Sequence, residues 1–154
     1  MLPQGSSKTR ELLGVGLLSK LGKRLIAIPL EMAGQVVELR VQKLPLARDT
    51  VRGVAFHEGQ GLVVLRLGPS AKAATETVVA VAIQPCGVPV RCALEVDRLA
   101  GIAQLRRAAP RDGAPRWWID SVSEDGRAVV WIDIAALLQG SFAARKEHTA
   151  SVVA

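Results

Sequence analysis

V-R-G-V-A-F-H-E-G-Q-G-L-V-V-L-R-L, from Val51 to Leu67, decides how the rest of the chain is read. Two β-rich apolar runs, Val51 to Phe56 and Leu62 to Leu67, flank His57-Glu58-Gly59-Gln60-Gly61. The glycines there can take the positive φ that a tight reversal needs, so the segment reads as a β-hairpin. The second run is apolar almost throughout. A strand apolar on both faces is buried on both, which places this hairpin inside a barrel or sandwich and away from a solvated edge.

The surrounding chain has the size and composition such a fold needs. Its 154 residues make one domain, able to bury about 68 to 70% of the unfolded surface. With 49% hydrophobic and 22% charged residues it is globular. The longest unbroken apolar run, Val78 to Ile83, falls far short of the roughly 20 residues of a spanning helix. Gly14, Gly16, Ser19 and Lys20 interrupt any apolar signal region after Lys8 and Arg10, so the expectation is a cytoplasmic protein without membrane insertion. In that compartment Cys86 and Cys92, on either side of Gly-Val-Pro, read as two reduced small hydrophobes. The net charge of +6, carried largely by arginine, favours acidic partners without choosing among them.

The hairpin also resembles a known family. V-x-G-V at Val51 to Val54, Gly59 closing the turn, and β-branched and leucine residues running to Leu67 are similar to the signature hairpin of CheW-type coupling proteins. These are adaptors that join chemoreceptors to a histidine kinase. The turn departs from the family, which usually has Asn-Leu-Arg-Gly where this chain has Phe56-His57-Glu58-Gly59. Ala27-Ile28-Pro29-Leu30 and Gln35-Val36-Val37-Glu38 resemble the family too, with Gln35 at the usual glutamate position. That glutamate lies near the arginine of the turn in the family, so both members of one ion pair have changed together. Leu44-Pro45-Leu46 stands where Ile-Pro is common, and Val96-Asp97-Arg98-Leu99-Ala100-Gly101-Ile102 is similar to Val-Asp-x-Val-x-x-Val. Asp125-Gly126-Arg127 with Val129 to Ile134 and Leu137-Leu138 resembles the last strand and terminal helix. The resemblance covers roughly Leu25 to Leu138, with the motifs in order. It implies an all-β fold of two small five-stranded SH3-like barrels packed together, with a short C-terminal helix.

Taken in order, the chain supports that class by its turns alone. Residues 1–10 read as a flexible N-terminus, 11–140 as one domain and 141–154 as a charged, Ala-rich tail. Glu11 to Leu18 reads as a strand or a short helix. Gly14 and Gly16 would each cost a helix about 1 kcal/mol, which favours the strand. Strands follow at Leu25 to Leu30, ending at Pro29, and at Val36 to Val41. Gly68 to Glu76 is small and polar, the clearest internal linker, and reads as the divide between two halves of the domain. Thr77 to Ile83 and Val90 to Val96 are strands about a turn at Gln84 to Pro89. Asp97 is expected to accept backbone N–H bonds at a turn. Arg106 to Arg116 reads as a basic loop, and Ser-Glu-Asp-Gly joins strands at Trp117 to Val122 and Arg127 to Ile132. Asp133 is placed to cap the terminal helix.

No enzyme chemistry is evident. The two histidines, His57 and His148, sit on a turn and in a tail, so neither a metal nor a cofactor is expected. There is no G-x-S-x-G elbow, Walker loop or complete dinucleotide fingerprint. The expected activity is therefore binding. The resemblance implies an adaptor that engages the helical tip of a chemoreceptor signalling domain, a histidine kinase regulatory domain and other CheW-like proteins of an array. Carried over residue by residue, the candidate contacts are Ala33, Gln35, Gly53, Phe56, Glu58 and Gly59. With Glu58 in place of a cation, receptor binding is expected to persist while kinase coupling weakens, as in an accessory adaptor of a Frz-type motility pathway. The alternative is a small basic barrel that grips single-stranded nucleic acid through Arg106, Arg107, Arg111 and Arg116 beside Trp117 and Trp118.

Overall fold

Period-two alternation in strands that are apolar on both faces forces two buried surfaces per strand, and the fold supplies both. The computed structural model describes residues 10–43, 51–68, 76–83 and 87–139. Ten strands run in the order β1 (Leu12–Leu21), β2 (Arg24–Pro29), β3 (Ala33–Val37), β4 (Val51–His57), β5 (Gln60–Leu65), β6 (Glu76–Ile83), β7 (Pro89–Val96), β8 (Arg98–Arg107), β9 (Trp118–Ser123) and β10 (Ala128–Ile132). A short helix α1 (134–139) follows. Strands β1-β2-β10-β9-β8 close a barrel, and β3-β6-β7-β5-β4 form a second five-stranded sheet. The second sheet is drawn together across its ends by one bridge, Gln42 to Val54. This is the two-subdomain SH3-like architecture expected from the sequence.

Alternate residues of the inner strands face different cores. Along β7, Cys92, Leu94 and Val96 enter a core shared by both halves, together with Ile26 and Ile28 of β2, Ile132 of β10, and Leu137 and Leu138 of α1. Ala93, between them, turns into the second sheet's own interior with Ala55, Leu62, Val64 and Val79. Likewise Ala27 of β2 faces the interior of the first barrel with Leu18, Leu105 and Val129. The doubly apolar runs thus mark strands lying between two cores. Burial also pushes the Cys92 thiol up to about 12, as an apolar cage disfavours thiolate. Cys92 is a buried free thiol, as read from the sequence, while Cys86 lies outside the described residues.

The polypeptide changes sheets at two places. Pro29 ends β2, and bonds from Met32 N–H to the Pro29 carbonyl (2.9 Å) and from Ala33 N–H to the Leu30 carbonyl (3.2 Å) turn the chain into β3. The second crossing is at Asp97, the single residue between β7 and β8. Its carboxylate accepts the Gly22 N–H at 2.7 Å and the buried Arg66 guanidinium at 2.9 Å, and its own N–H donates to the Lys20 carbonyl at 2.8 Å. Asp97 is the structural acceptor expected of it. Its partners, however, come from the β1–β2 turn and the end of β5, so it staples the two halves together. At the C-terminal end Asp133 caps α1, accepting the Ala136 N–H at 3.0 Å.

Four expectations are corrected. The segment at 68–76 joins β5 to β6, which flank β7 in the same sheet, so it does not divide the halves. Strand β3 covers Ala33–Val37, not Val36 to Val41, because among the described residues beyond it Gln42 alone pairs, by a bridge to Val54 of β4. Strand β4 ends the second sheet's ladder, so the hairpin has one edge strand. Arg98–Arg107 is a ten-residue strand, and Arg106 and Arg107 belong to it and not to a loop. Leu44-Pro45-Leu46, the termini at 1–9 and 140–154, and most of 68–76 lie outside the described residues.

Candidate docking face

The hairpin tip follows from two residues. Glu58 (φ 53°) and Gly59 (φ 78°) both occupy the left-handed region, as a two-residue type I′ reversal requires, and pair His57 with Gln60 and Phe56 with Gly61. The loop is therefore shorter than the five residues read from the sequence. Phe56 stands 71% exposed. By alternation it shares a sheet face with Val63 and Leu65, which pack in or against the shared core. Phe56 is where that apolar face leaves the core and meets solvent. Next to it, a hollow of about 460 Å³ opens at the rim of the second sheet, lined by Gly61, Leu62, Val81, Pro89, Val90 and Arg91.

The polar groups of the tip are fixed from behind. The Arg91 guanidinium donates to Gln60 Oε1 and lies 3.1 Å from His57 Nδ1. Deeper in, Arg52 Nε pairs with the buried Glu95 at 2.9 Å. Glu58 is exposed at the apex and makes no ion pair among the described residues. The tip thus presents one apolar ring, one anion and a tethered cation behind them.

Of the six candidate contacts, Phe56, Glu58 and Gly59 come together at this tip. Gly53 is buried on β4, where an added Cβ would stand 2.0 Å from the Gln42 carbonyl oxygen, so its place reflects the close approach that draws the sheet together. Ala33 is half-buried against the shared core at the start of β3. Gln35 lies exposed on β3 in a register shift between Ala33 and Val36, a bulge that turns its side chain outward. Among the described residues no hydrogen bond joins Gln35 to Glu58: the ends of the sheet meet at the Gln42–Val54 bridge, away from the hairpin tip. The sequence reading missed Arg91 and the hollow beside it. Their only sequence signal was the apolar run around them.

Of the expected basic cluster, Arg107, Arg111, Arg116 and Trp118 line one depression of about 380 Å³ that also holds Asp120 and Asp133, and Arg106, Arg107 and Arg111 are engaged within the fold. Arg107 pairs with Glu11 at 2.7 Å, Arg106 donates to the Arg10 carbonyl at 3.1 Å, and Arg111 reaches Asp120 at 3.4 Å. Trp117 and Trp118 are half-buried against the shared core. No group of three or more His, Cys, Asp or Glu side chains converges among the described residues. No helix among them is long and apolar enough to cross a membrane.

The model of the CheW-like domain family matches residues 15–142. Among solved structures, the scaffolding protein TtCheW from Thermoanaerobacter tengcongensis is similar, with a TM-score of 0.60 at 13% identity over 78% of this chain and 88% of that one. No curated protein sequence matches.

Proposed function

Because this chain belongs to the CheW-like domain family, we propose that it works as a non-enzymatic adaptor of a cytoplasmic chemosensory array, docking the helical tip of a chemoreceptor signalling domain against the β4–β5 hairpin. The supporting observation is Phe56, 71% exposed at the end of an otherwise core-facing sheet surface and beside an open hollow. A large aromatic left in water on a rigid hairpin is the anchor that a helical partner can bury. An amphipathic receptor helix would place one apolar side chain in the hollow and another against the ring.

Glu58 modifies this reading. The family's turn carries a cation at that place, and an anion there reverses the sign offered to any partner group. Like charges across an interface can cost several kcal/mol. The adaptor accordingly keeps receptor binding and couples weakly to a kinase regulatory domain, or prefers a receptor of altered charge, working beside other CheW-like proteins. Calorimetry against a receptor signalling domain and a kinase regulatory domain tests both halves. Phe56→Ala should weaken receptor binding about tenfold or more, and Glu58→Arg should strengthen kinase binding. Unchanged receptor affinity in Phe56→Ala removes the hairpin from the interface, and unchanged kinase affinity in Glu58→Arg with Gln35→Glu removes the turn as the discriminating surface.

A further inference from the structure

A second depression, of about 890 Å³, lies on the other half of the molecule. Three chain segments meet there: the β1–β2 hairpin, the 108–111 loop after β8, and the β9–β10 hairpin. Its cations are Arg10, Lys20, Lys23, Arg24, Arg111 and Arg127, against the single carboxylate of Asp120 among its lining residues. Lys20, Lys23 and Arg24 make no ion pair among the described residues. The groove therefore keeps a net positive field over a concave surface.

Its centre is built, not merely solvated. The Arg24 guanidinium lies 4.5 Å from the Trp118 ring centroid, and that of Arg111 lies 5.8 Å from it. Trp118 Nε1 donates to Asp120 Oδ1 at 3.0 Å, and Arg111 approaches the same oxygen at 3.4 Å. A guanidinium stacked on an indole loses rotamer freedom while its N–H edge stays available for a carboxylate. The same stacking disfavours a nucleobase, since Arg24 already lies where a base would have to pack.

We propose that this groove is a docking site for an acidic peptide segment of a partner protein, with Arg24 and Lys23 as the principal contacts and Trp118 as the platform that orients Arg24. It lies on the first barrel and is independent of the hairpin face on the second sheet. A site of this kind gives association speed and charge selectivity, falling off with salt over the Debye length.

The test is fluorescence anisotropy of a labelled peptide of about ten Glu and Asp residues against the full chain, with a single-stranded oligonucleotide of the same length as competitor. The expected result is saturable binding that weakens about tenfold or more in Lys23→Ala with Arg24→Ala and is unchanged in Phe56→Ala. Both substituted positions are exposed, so the circular dichroism of the double variant should match the parent. Equal binding by the double variant, loss of binding in Phe56→Ala, or an oligonucleotide that binds more tightly than the peptide would each overturn the proposal. Because Phe56→Ala separates the two faces, failure here leaves the receptor-docking reading standing, and the reverse also holds.

Discussion

The hairpin tip and the basic groove, the two surfaces proposed for docking, are both exposed but are assembled in opposite ways. Phe56, Glu58 and Gly59 are sequence neighbours on one two-residue reversal, and the face they end is fixed by alternation along two strands. The groove instead takes Lys23 and Arg24 from the first hairpin, Arg111 from the loop after β8 and Trp118 from β9, residues up to 95 positions apart that only the closed barrel brings together. Local surfaces inherit their geometry from turn chemistry. Non-local ones inherit it from barrel closure, and are as stable as the fold that closes them.

The largest test of that contrast acts on the joint between the two halves. Asp97→Ala removes the carboxylate from the Arg66 side chain, which is 3% exposed, and also releases Gly22 N–H. It should cost about 3 kcal/mol in urea unfolding and loosen the groove, whose β1–β2 hairpin it holds, more than the tip. A loss below about 1 kcal/mol would mean that apolar contacts alone join the halves.

A smaller effect, confined to one side, is expected at Gly53. With φ at 151° and a Cβ position 2.0 Å from the Gln42 carbonyl oxygen, Gly53→Ala should cost about 2 kcal/mol. Amide exchange should quicken in β4 and β5 while β1 and β8 stay protected. Exchange that quickens equally in both sheets would show that they unfold as one unit.

The third test concerns the core that both surfaces share. Folding holds the Cys92 thiol protonated up to about 12, where the unfolded chain ionises near its ordinary value of 9.0. The folded state therefore binds more protons across that interval, and stability is full below about pH 9 and falls as pH rises towards 12. The loss should be about 1 kcal/mol by pH 10 and absent in Cys92→Ala, whose smaller side chain lowers stability at every pH. Retention of the same pH slope in Cys92→Ala would assign it to other groups.

The smallest effect lies at the turn itself. Glu58 sits at φ 53°, a conformation asparagine tolerates better, so Glu58→Asn should raise stability by about 0.5 to 1 kcal/mol without disturbing the groove. A neutral or negative result would show that the hairpin is held by its strands and not by its turn.

The same division governs what could be read from residues alone. Val51 to Leu67 was legible as a hairpin because its two apolar β-rich runs and the glycines between them are local signals, although the two-residue length of the reversal was not. The strands at Leu25, Thr77, Val90, Trp117 and Arg127 were legible for the same reason. Strand β8 was not, since its burial comes mainly from Leu105 and its identity from pairing with β1 about ninety residues earlier. Nor was the sheet membership of β6. A small polar linker looks alike whether it separates two subdomains or carries the chain past a neighbouring strand, as it does here around β7.

The amino-acid sequence by itself determined the all-β class, the β4–β5 hairpin, the capping role of Asp133 and the need for two buried faces on the inner strands. These depend on side-chain periodicity and turn preference, which act over a few residues. Only the tertiary structure decided that the second face belongs to a core shared between the two halves, that Asp97 bonds to Gly22 and Arg66, and that Arg24 lies over Trp118. Those contacts join residues tens of positions apart, and their geometry exists only after barrel closure has met the entropy of bringing the segments together.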